Sequence, residues 1–204
     1  MQTGLKLDME VWNWADTQVD YAVGTFWYAR PGAKHNRVPQ PVEAAARVHD
    51  VPRILGAIVI PGAIECEDLP IVSISPGTVS SVQSSGLKEG GWSGGKQLFV
   101  VGKKVGDFIE VEVPVKEDLP QKITLYGTKS YDYGVLRFHI NGQTAGADYD
   151  AYAAAPAASG PIALGVFTPK GGKLILRVEI VGANPAAKGN GSLFGLDCVV
   201  LGKP

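Results

Sequence analysis

The chain is short of the residues that most metal and catalytic chemistry uses. Its 204 residues include three histidines and two cysteines. The histidines, His35, His49 and His139, are scattered and show no metal-ligand spacing. Cys66 and Cys198 stand far apart and form no Cys-x-x-Cys pair, which argues against a zinc site. They are read as two buried thiols, or as a bridge joining the first and last strands of a sandwich; the bridge would imply an oxidising compartment. Net charge is also lacking: 19 Lys+Arg stand against 20 Asp+Glu. That balance argues against nucleic acid as the main partner, because phosphate binding needs a basic surface. No apolar run reaches the ~18 residues that would span a bilayer, so no membrane partner is expected. The N-terminus lacks the charged and apolar regions of a signal peptide, although a secreted or periplasmic parent stays compatible with residues that read as the middle of a domain. No Gly-x-Ser-x-Gly elbow is present. Gly90-Gly91-Trp92-Ser93-Gly94-Gly95 lacks the Lys-Ser/Thr ending of a phosphate loop and opens no helix.

What the chain does have is turn residues and short β patterns. Gly 26 and Pro 14, with 19% charged residues, fit a turn-rich β protein and not a disordered one. Residues 5–11 alternate apolar and polar, and 19–29 are rich in β-branched and aromatic types, which predicts an N-terminal β-hairpin over 1–32. Residues 33–53 hold three prolines and read as a linker or wrapped arm. From Ile54 the rhythm changes. Strands are expected at 63–69, 72–75, 97–101, 108–115, 122–128, 135–140, 162–167, 174–181 and 193–201, divided by Gly, Pro and Asn turns. Asn141-Gly142 is a strong two-residue hairpin signal. Many short strands at this spacing predict an all-β fold: a β-sandwich of jelly-roll type over 54–204, carrying the hairpin as an extension.

Two stretches carry a family resemblance. Ile64-Glu65-Cys66-Glu67-Asp68, Trp92-Ser93-Gly94-Gly95, the strand at 174–181 with Gly182-Ala183-Asn184, and Phe194-Gly195-Leu196-Asp197-Cys198-Val199-Val200-Leu201 resemble, in that order, the first strand, Gly-rich loop, late strand and closing strand of carbohydrate-binding modules of families 6 and 35 and their galactose-binding-like relatives. Residues 5–14 and Val19-Asp20-Tyr21-Ala22-Val23-Gly24-Thr25-Phe26-Trp27-Tyr28-Ala29-Arg30-Pro31-Gly32 resemble the end of the catalytic jelly-roll of domain of unknown function 2961, linked to glycoside hydrolase family 172. The resemblance implies the tail of a glycosidase-like protein followed by its accessory module. The parts expected to carry that family's acidic catalytic residues mostly precede Met1, so no catalytic residue is assigned and catalysis by the chain alone is not expected.

Glu65 and Glu67, at period two, would share one face of a strand. The resembled modules lay the first strand beside the last, which would bring Asp197 to them. Three carboxylates held together repel unless a cation sits between them, and hard oxygen donors favour calcium, in a structural role; carbonyls of the loop at 92–95 could complete its shell. Alternatively Glu65 and Glu67 are solvated edge charges and Asp197 caps a turn. Saccharide recognition needs flat apolar faces beside planar polar groups. Trp92, Tyr131, Asp132, Tyr133, Asn184 and Asn190 are the candidates, with Tyr149, Tyr152 and Asp148 nearby in sequence. Each aromatic could equally be buried under a loop. Alternation would turn Tyr131 and Tyr133 to one face and Asp132 to the other. Glu10, Glu110, Glu112 and Glu179 are further carboxylates with nothing to pair them across a cleft.

The expected function is a non-catalytic module that binds an oligo- or polysaccharide by aromatic stacking and hydrogen bonds. One alternative is an oligomerisation module assembling through Trp12, Trp14, Trp27 and Tyr28. The other is a truncated glycoside hydrolase.

Overall fold

The computed structural model describes Gly32, residues 58–84, Leu87 and residues 91–204. The chain divides into two units, Met1–Leu55 and Gly56–Pro204, and every described strand belongs to the second. The hairpin expected over 1–32, the arm over 33–53 and the aromatic assembly surface lie outside the described residues, Gly32 apart.

The second unit is an all-β sandwich. Its elements are β1 (Ala63–Glu65), a short 3-10 helix (Cys66–Asp68), β2 (Ile71–Ile74), β3 (Val79–Gln83), β4 (Gln97–Val101), β5 (Phe108–Pro114), β6 (Gln121–Lys129), β7 (Gly134–Ile140), β8 (Gln143–Asp150), β9 (Ala157–Ala158), β10 (Ile162–Phe167), β11 (Lys173–Ala183) and β12 (Leu193–Gly202). One sheet runs β10-β6-β12-β4-β3, with β1 also on β12 and β9 on β6; the other runs β2-β5-β11-β7-β8. All of these pairings are antiparallel.

Period-two burial builds the core between the sheets. From the second sheet come Ile109, Val111 and Val113, Leu136, Phe138 and Ile140, and Leu174, Leu176, Val178 and Ile180. Leu98, Val100, Ile123, Leu125, Phe194 and Leu196 meet them from the first. Each such side chain, once withdrawn from water, contributes roughly 1.5–3 kcal/mol of transfer free energy. Asn141 (φ 50°) and Gly142 (φ 79°) form the tight turn between β7 and β8 that their side chains predicted.

One irregularity positions the rest. In β12 the core residues are Phe194 and Leu196, then Val199 and Leu201, so the inward parity switches from even to odd. The switch coincides with a β-bulge against β6, between Leu196 and Cys198. Asp197 is the extra residue, and a bulge of this kind re-aims side chains. It leaves both Asp197 and Cys198 off the core face. On its other edge β12 pairs with β4 over Leu193 to Leu196 and with β1 over Cys198 to Val200. Asp197 therefore stands at the junction where β4 begins and β1 ends.

Several expectations are corrected. The strand foreseen at 63–69 stops at Glu65, and the chain turns through a 3-10 helix. Glu65 and Glu67 thus do not share a strand face, and Cys66 lies in the helix instead of a strand. Residues 131–132 form a turn, so strand alternation does not apply to Tyr131-Asp132-Tyr133. Strands β3, β8 and β9 were not foreseen. β3 (VSSVQ) and β8 (QTAGADYD) are poor in aromatic residues and border their sheets, where pairing with one neighbour suffices.

Candidate functional site

The junction at Asp197 gathers acidic groups. Oxygen atoms of Glu65 and Asp197 and the Cys198 sulfur lie within 4.8 Å of one another. The Gly-rich loop closes over them: Ser93 N donates to Asp197 Oδ1 at 2.9 Å, and the Ser93 hydroxyl donates to Glu65 Oε1 at 2.7 Å. Gly94 (φ 62°) and Gly95 (φ 81°) give this loop its left-handed turn, and the Glu65 carboxylate lies 3.5 Å from where a Cβ at Gly94 would stand.

Electrostatically the cluster is under-compensated. Burial, with the charges of Glu65 and Glu67 adding to it, pushes the Asp197 carboxyl up to about 7, while the Ser93 N–H works against the rise. Glu67 is raised as well, mainly by burial, then by Glu65 and Asp68, with Lys96 opposing. Two buried carboxylate oxygens, Glu65 Oε2 and Glu67 Oε2, have no hydrogen-bond partner among the described residues. A buried oxygen of this kind costs about 1–3 kcal/mol, more when charged, unless a donor or cation meets it.

The donors suit a hard divalent ion. Burial, and after it the carboxylate charges, push the Cys198 thiol up to about 12. The oxygen donors within reach of one another come from Glu65 and Asp197, with the Glu67 charge near enough to raise Asp197. The Trp92 carbonyl, by contrast, accepts from both Ile58 N and Gly95 N. Cys66 and Cys198 are free, buried thiols.

A second feature opens on the outer face of the same sheet. A pocket of about 150 Å³ is lined by Trp92, Tyr131, Asp132 and Tyr133, four of the residues singled out from sequence. Gln83, Gln97, Phe99 and Thr128 line it too, and no sequence signal pointed to them. Tyr131 is 39% exposed, whereas Trp92 and Tyr133 are each 4% exposed and form walls more than rims. Tyr133 leans on Phe99 (ring centroids 6.3 Å apart), and burial holds its phenol at about 12, so it is a neutral hydroxyl. The Tyr131 loop is held by Lys188, whose N–H donates to the Tyr131 carbonyl at 2.7 Å and whose Nζ lies 5.1 Å from the ring centre.

Hydrogen bonds link the pocket floor. Trp92 Nε1 donates to Thr128 Oγ1 (2.7 Å), the Thr128 hydroxyl to Gln97 Oε1 (2.6 Å), and Gln97 Nε2 to Gln83 Oε1 (2.6 Å). Gln97 is fully buried, and its amide occupies the space that a side chain at Gly195 would fill.

The remaining candidates lie elsewhere. Asn184 donates to Asp150 Oδ2 at 2.6 Å, and its own carbonyl accepts from Ala186 N in an Asx turn. Asn190 is exposed in the same loop. Neither lines the pocket. Tyr149 packs near Phe138, Asp148 pairs with Arg137, and Tyr152 bridges to Ser130.

No known family model matches the chain, and no curated protein does. Among solved structures it is similar to a part of a Paenibacillus xanthan lyase, with 24% identity and a TM-score of 0.61 over 72% of this chain and 14% of that one. It also matches the carbohydrate-binding module CBM36 in complex with calcium and xylotriose (14% identity, TM-score 0.41, 69% of this chain and 98% of that one). A third match is the Podospora anserina GH26-CBM35 β-(1,4)-mannanase (14%, 0.44, 70% and 28%). The likeness to the lyase shows the fold, and the chain spans 14% of that enzyme's length.

Proposed function

We propose that this chain is a non-catalytic carbohydrate-binding module, which holds a saccharide in the pocket beside Tyr131 and a structural calcium ion among Glu65, Glu67 and Asp197. The observation that carries the first part is the convergence of Trp92, Tyr131, Asp132 and Tyr133 on one pocket with two amide side chains. An exposed tyrosine face beside a carboxylate and the half-buried Gln83 amide meets both needs of a sugar, an apolar C–H surface and directed hydroxyl partners. The two unpartnered carboxylate oxygens support calcium. An ion there would join β1, the 3-10 helix, the Gly-rich loop and β12.

Among the described residues, the carboxylates that a glycosidase could use fit a structural role; Glu10 lies outside them. Glu110 and Glu179 pair with Arg177, and Glu112 with Lys173, on the other sheet. The sandwich also occurs as a small part of a polysaccharide lyase, so an accessory place in a larger carbohydrate-active protein suits it. Association with a glycoside hydrolase rests on residues 1–32.

Titration against plant, algal and bacterial polysaccharides, with calcium and with chelator, tests the proposal. Binding to at least one of them, weakened by Tyr131→Ala, is expected. Failure to bind any with calcium present would leave a structural role only.

A further inference from the structure

The direction of the hydrogen bonds under the pocket has a chemical consequence. An indole N–H can only donate, so Trp92 sets the sense of the chain. Thr128 accepts from it and must give its own proton to Gln97 Oε1. That fixes which end of the Gln97 amide is oxygen, and Gln97 Nε2 then donates to Gln83 Oε1. The sense passes intact to the last member, so the other end of the Gln83 amide is Nε2, a donor. Tyr133 points the same way: Gln97 Nε2 lies 3.5 Å from its hydroxyl oxygen, and burial keeps its phenol protonated. The pocket thus has a donor side at Gln83 and Tyr133. Its acceptor side is Asp132, the one charged group among the described residues that line it.

We propose that this relay makes Gln83 a specificity-determining residue: the pocket takes one neutral sugar residue, with an acceptor oxygen against Gln83 and a donor hydroxyl against Asp132. Thr128 and Gln97 act as positioning residues that keep the Gln83 amide from flipping. The inference rests on the pocket being the saccharide site. A volume of about 150 Å³ fits one six-membered ring, since a cavity of that size holds benzene. A carboxylated sugar would set like charge against Asp132. Gln83 sits half-buried at the end of β3, which borders its sheet, so its replacement leaves the core untouched.

The test uses the full chain in calcium, titrated by ligand-observed NMR with the methyl glycosides of glucose, galactose, mannose and xylose and with methyl glucuronide. Binding of at least one neutral glycoside in preference to the glucuronide is expected, and Tyr131→Ala should weaken it about tenfold. Gln83→Leu deletes the donor. Gln83→Glu still offers Gln97 an acceptor but places a second acceptor where the donor was. Both should weaken binding about tenfold or more, because a ligand oxygen loses its partner; the melting temperature in calcium should hold in Gln83→Glu and fall by a few degrees in Gln83→Leu, which takes the acceptor from the buried Gln97 amide. Thr128→Val should weaken it about fivefold by unfixing the amides, and Thr128→Ser, which keeps the hydroxyl, should bind within about twofold of the parent. If the Gln83 variants bind like the parent while Tyr131→Ala is weakened, the relay has no part in recognition although the pocket stands. Tighter binding of the glucuronide overturns the neutral-sugar assignment. If the parent binds none of the five, the pocket is not the site and the inference falls with it.

Discussion

The two outer faces of this sandwich both carry acidic side chains and treat them in opposite ways. On the β2-β5-β11-β7-β8 sheet, Glu110, Glu112 and Asp148 are matched by Arg177, Lys173 and Arg137 across neighbouring strands, and Glu179 by Arg177 along β11. Period-two burial dominates there, and the charges end in contacts with one another. On the β12 side, Glu65, Glu67 and Asp197 converge beside a bulge and a 3-10 turn, and two of their oxygens meet no donor. Regular pairing consumes charge, whereas irregular backbone stores it. The face to which we assign the proposed sites is the one whose polar groups are left incomplete by the fold itself.

Calcium is expected to give the largest separation between the faces. At free calcium about a hundredfold above Kd, binding to the folded state adds roughly 2.7 kcal/mol. For a domain of this size that raises the melting temperature by about 5–10 °C. Calorimetry with calcium and with EDTA checks it. Glu65→Gln with Glu67→Gln should abolish the shift, and in EDTA the same double variant should melt above the parent, because it removes uncompensated buried charge. Glu110→Gln on the paired face should lower stability equally in both media. A calcium shift that survives the double substitution would break the distinction.

The pH response separates them next. The Asp197 carboxyl sits at about 7 in the folded chain, far above its value in an unfolded one. Between these two values the folded state binds the proton and the unfolded state does not, so the contribution is stabilising at low pH and is lost as pH rises toward and through about 7. In EDTA, melting temperature should therefore fall from pH 5 to pH 8 by more in the parent than in Asp197→Asn. Calcium, which binds the ionised form, should flatten or reverse that slope. The opposite trend in EDTA would show that Asp197 is not held protonated. Asp148, paired with Arg137, is held below its usual range and so should add no slope in this window.

In ligand binding the faces should differ without differing in stability. Tyr131→Ala removes a half-exposed aromatic and should weaken sugar binding about tenfold, with melting nearly unchanged. Arg137→Ala, on the other face, should leave binding as it was. Loss of binding in both variants would mean that the sugar site is not confined to the pocket.

The sequence carries this division unevenly. The regular face is legible: Leu174, Leu176, Val178 and Ile180 announce β11, and Asn141-Gly142 announces the turn after β7. Glu65, Glu67 and Asp197 stand out through family likeness and acidic type, but the shared strand face that period two implies for the glutamates does not exist. The 3-10 turn at Cys66 and the bulge at Asp197 are tertiary outcomes, set by how β1 and β4 divide the edge of β12. No local pattern encodes that division. The same limit hid Gln83, Gln97 and Thr128. A glutamine in a strand reads as a solvated residue, and only the bare Gly195 on the adjacent strand makes room for the Gln97 amide to be buried. Asn184, by contrast, is read by its type as a ligand group, yet it serves its own turn.

The smallest predicted effect lies on the paired face. The Arg177 guanidinium stacks 3.4 Å above the Phe108 ring centre and reaches Glu179 Oε2 at 3.0 Å and Glu110 Oε1 at 3.4 Å. It is about one-quarter exposed, so water screens the ion pairs, and the stacked contact carries much of the interaction. Arg177→Ala should cost about 1 kcal/mol, or about 2–4 °C of melting temperature. High salt should remove only the ionic share, so a residual loss at about 1 M salt is the mark of stacking. Arg177→Lys keeps the charge but lacks the plane, and should recover less than half. Neither variant should alter the calcium shift or sugar binding. A changed calcium response in Arg177→Ala would show that the two faces communicate through the core, and the paired face could then no longer be treated as self-contained.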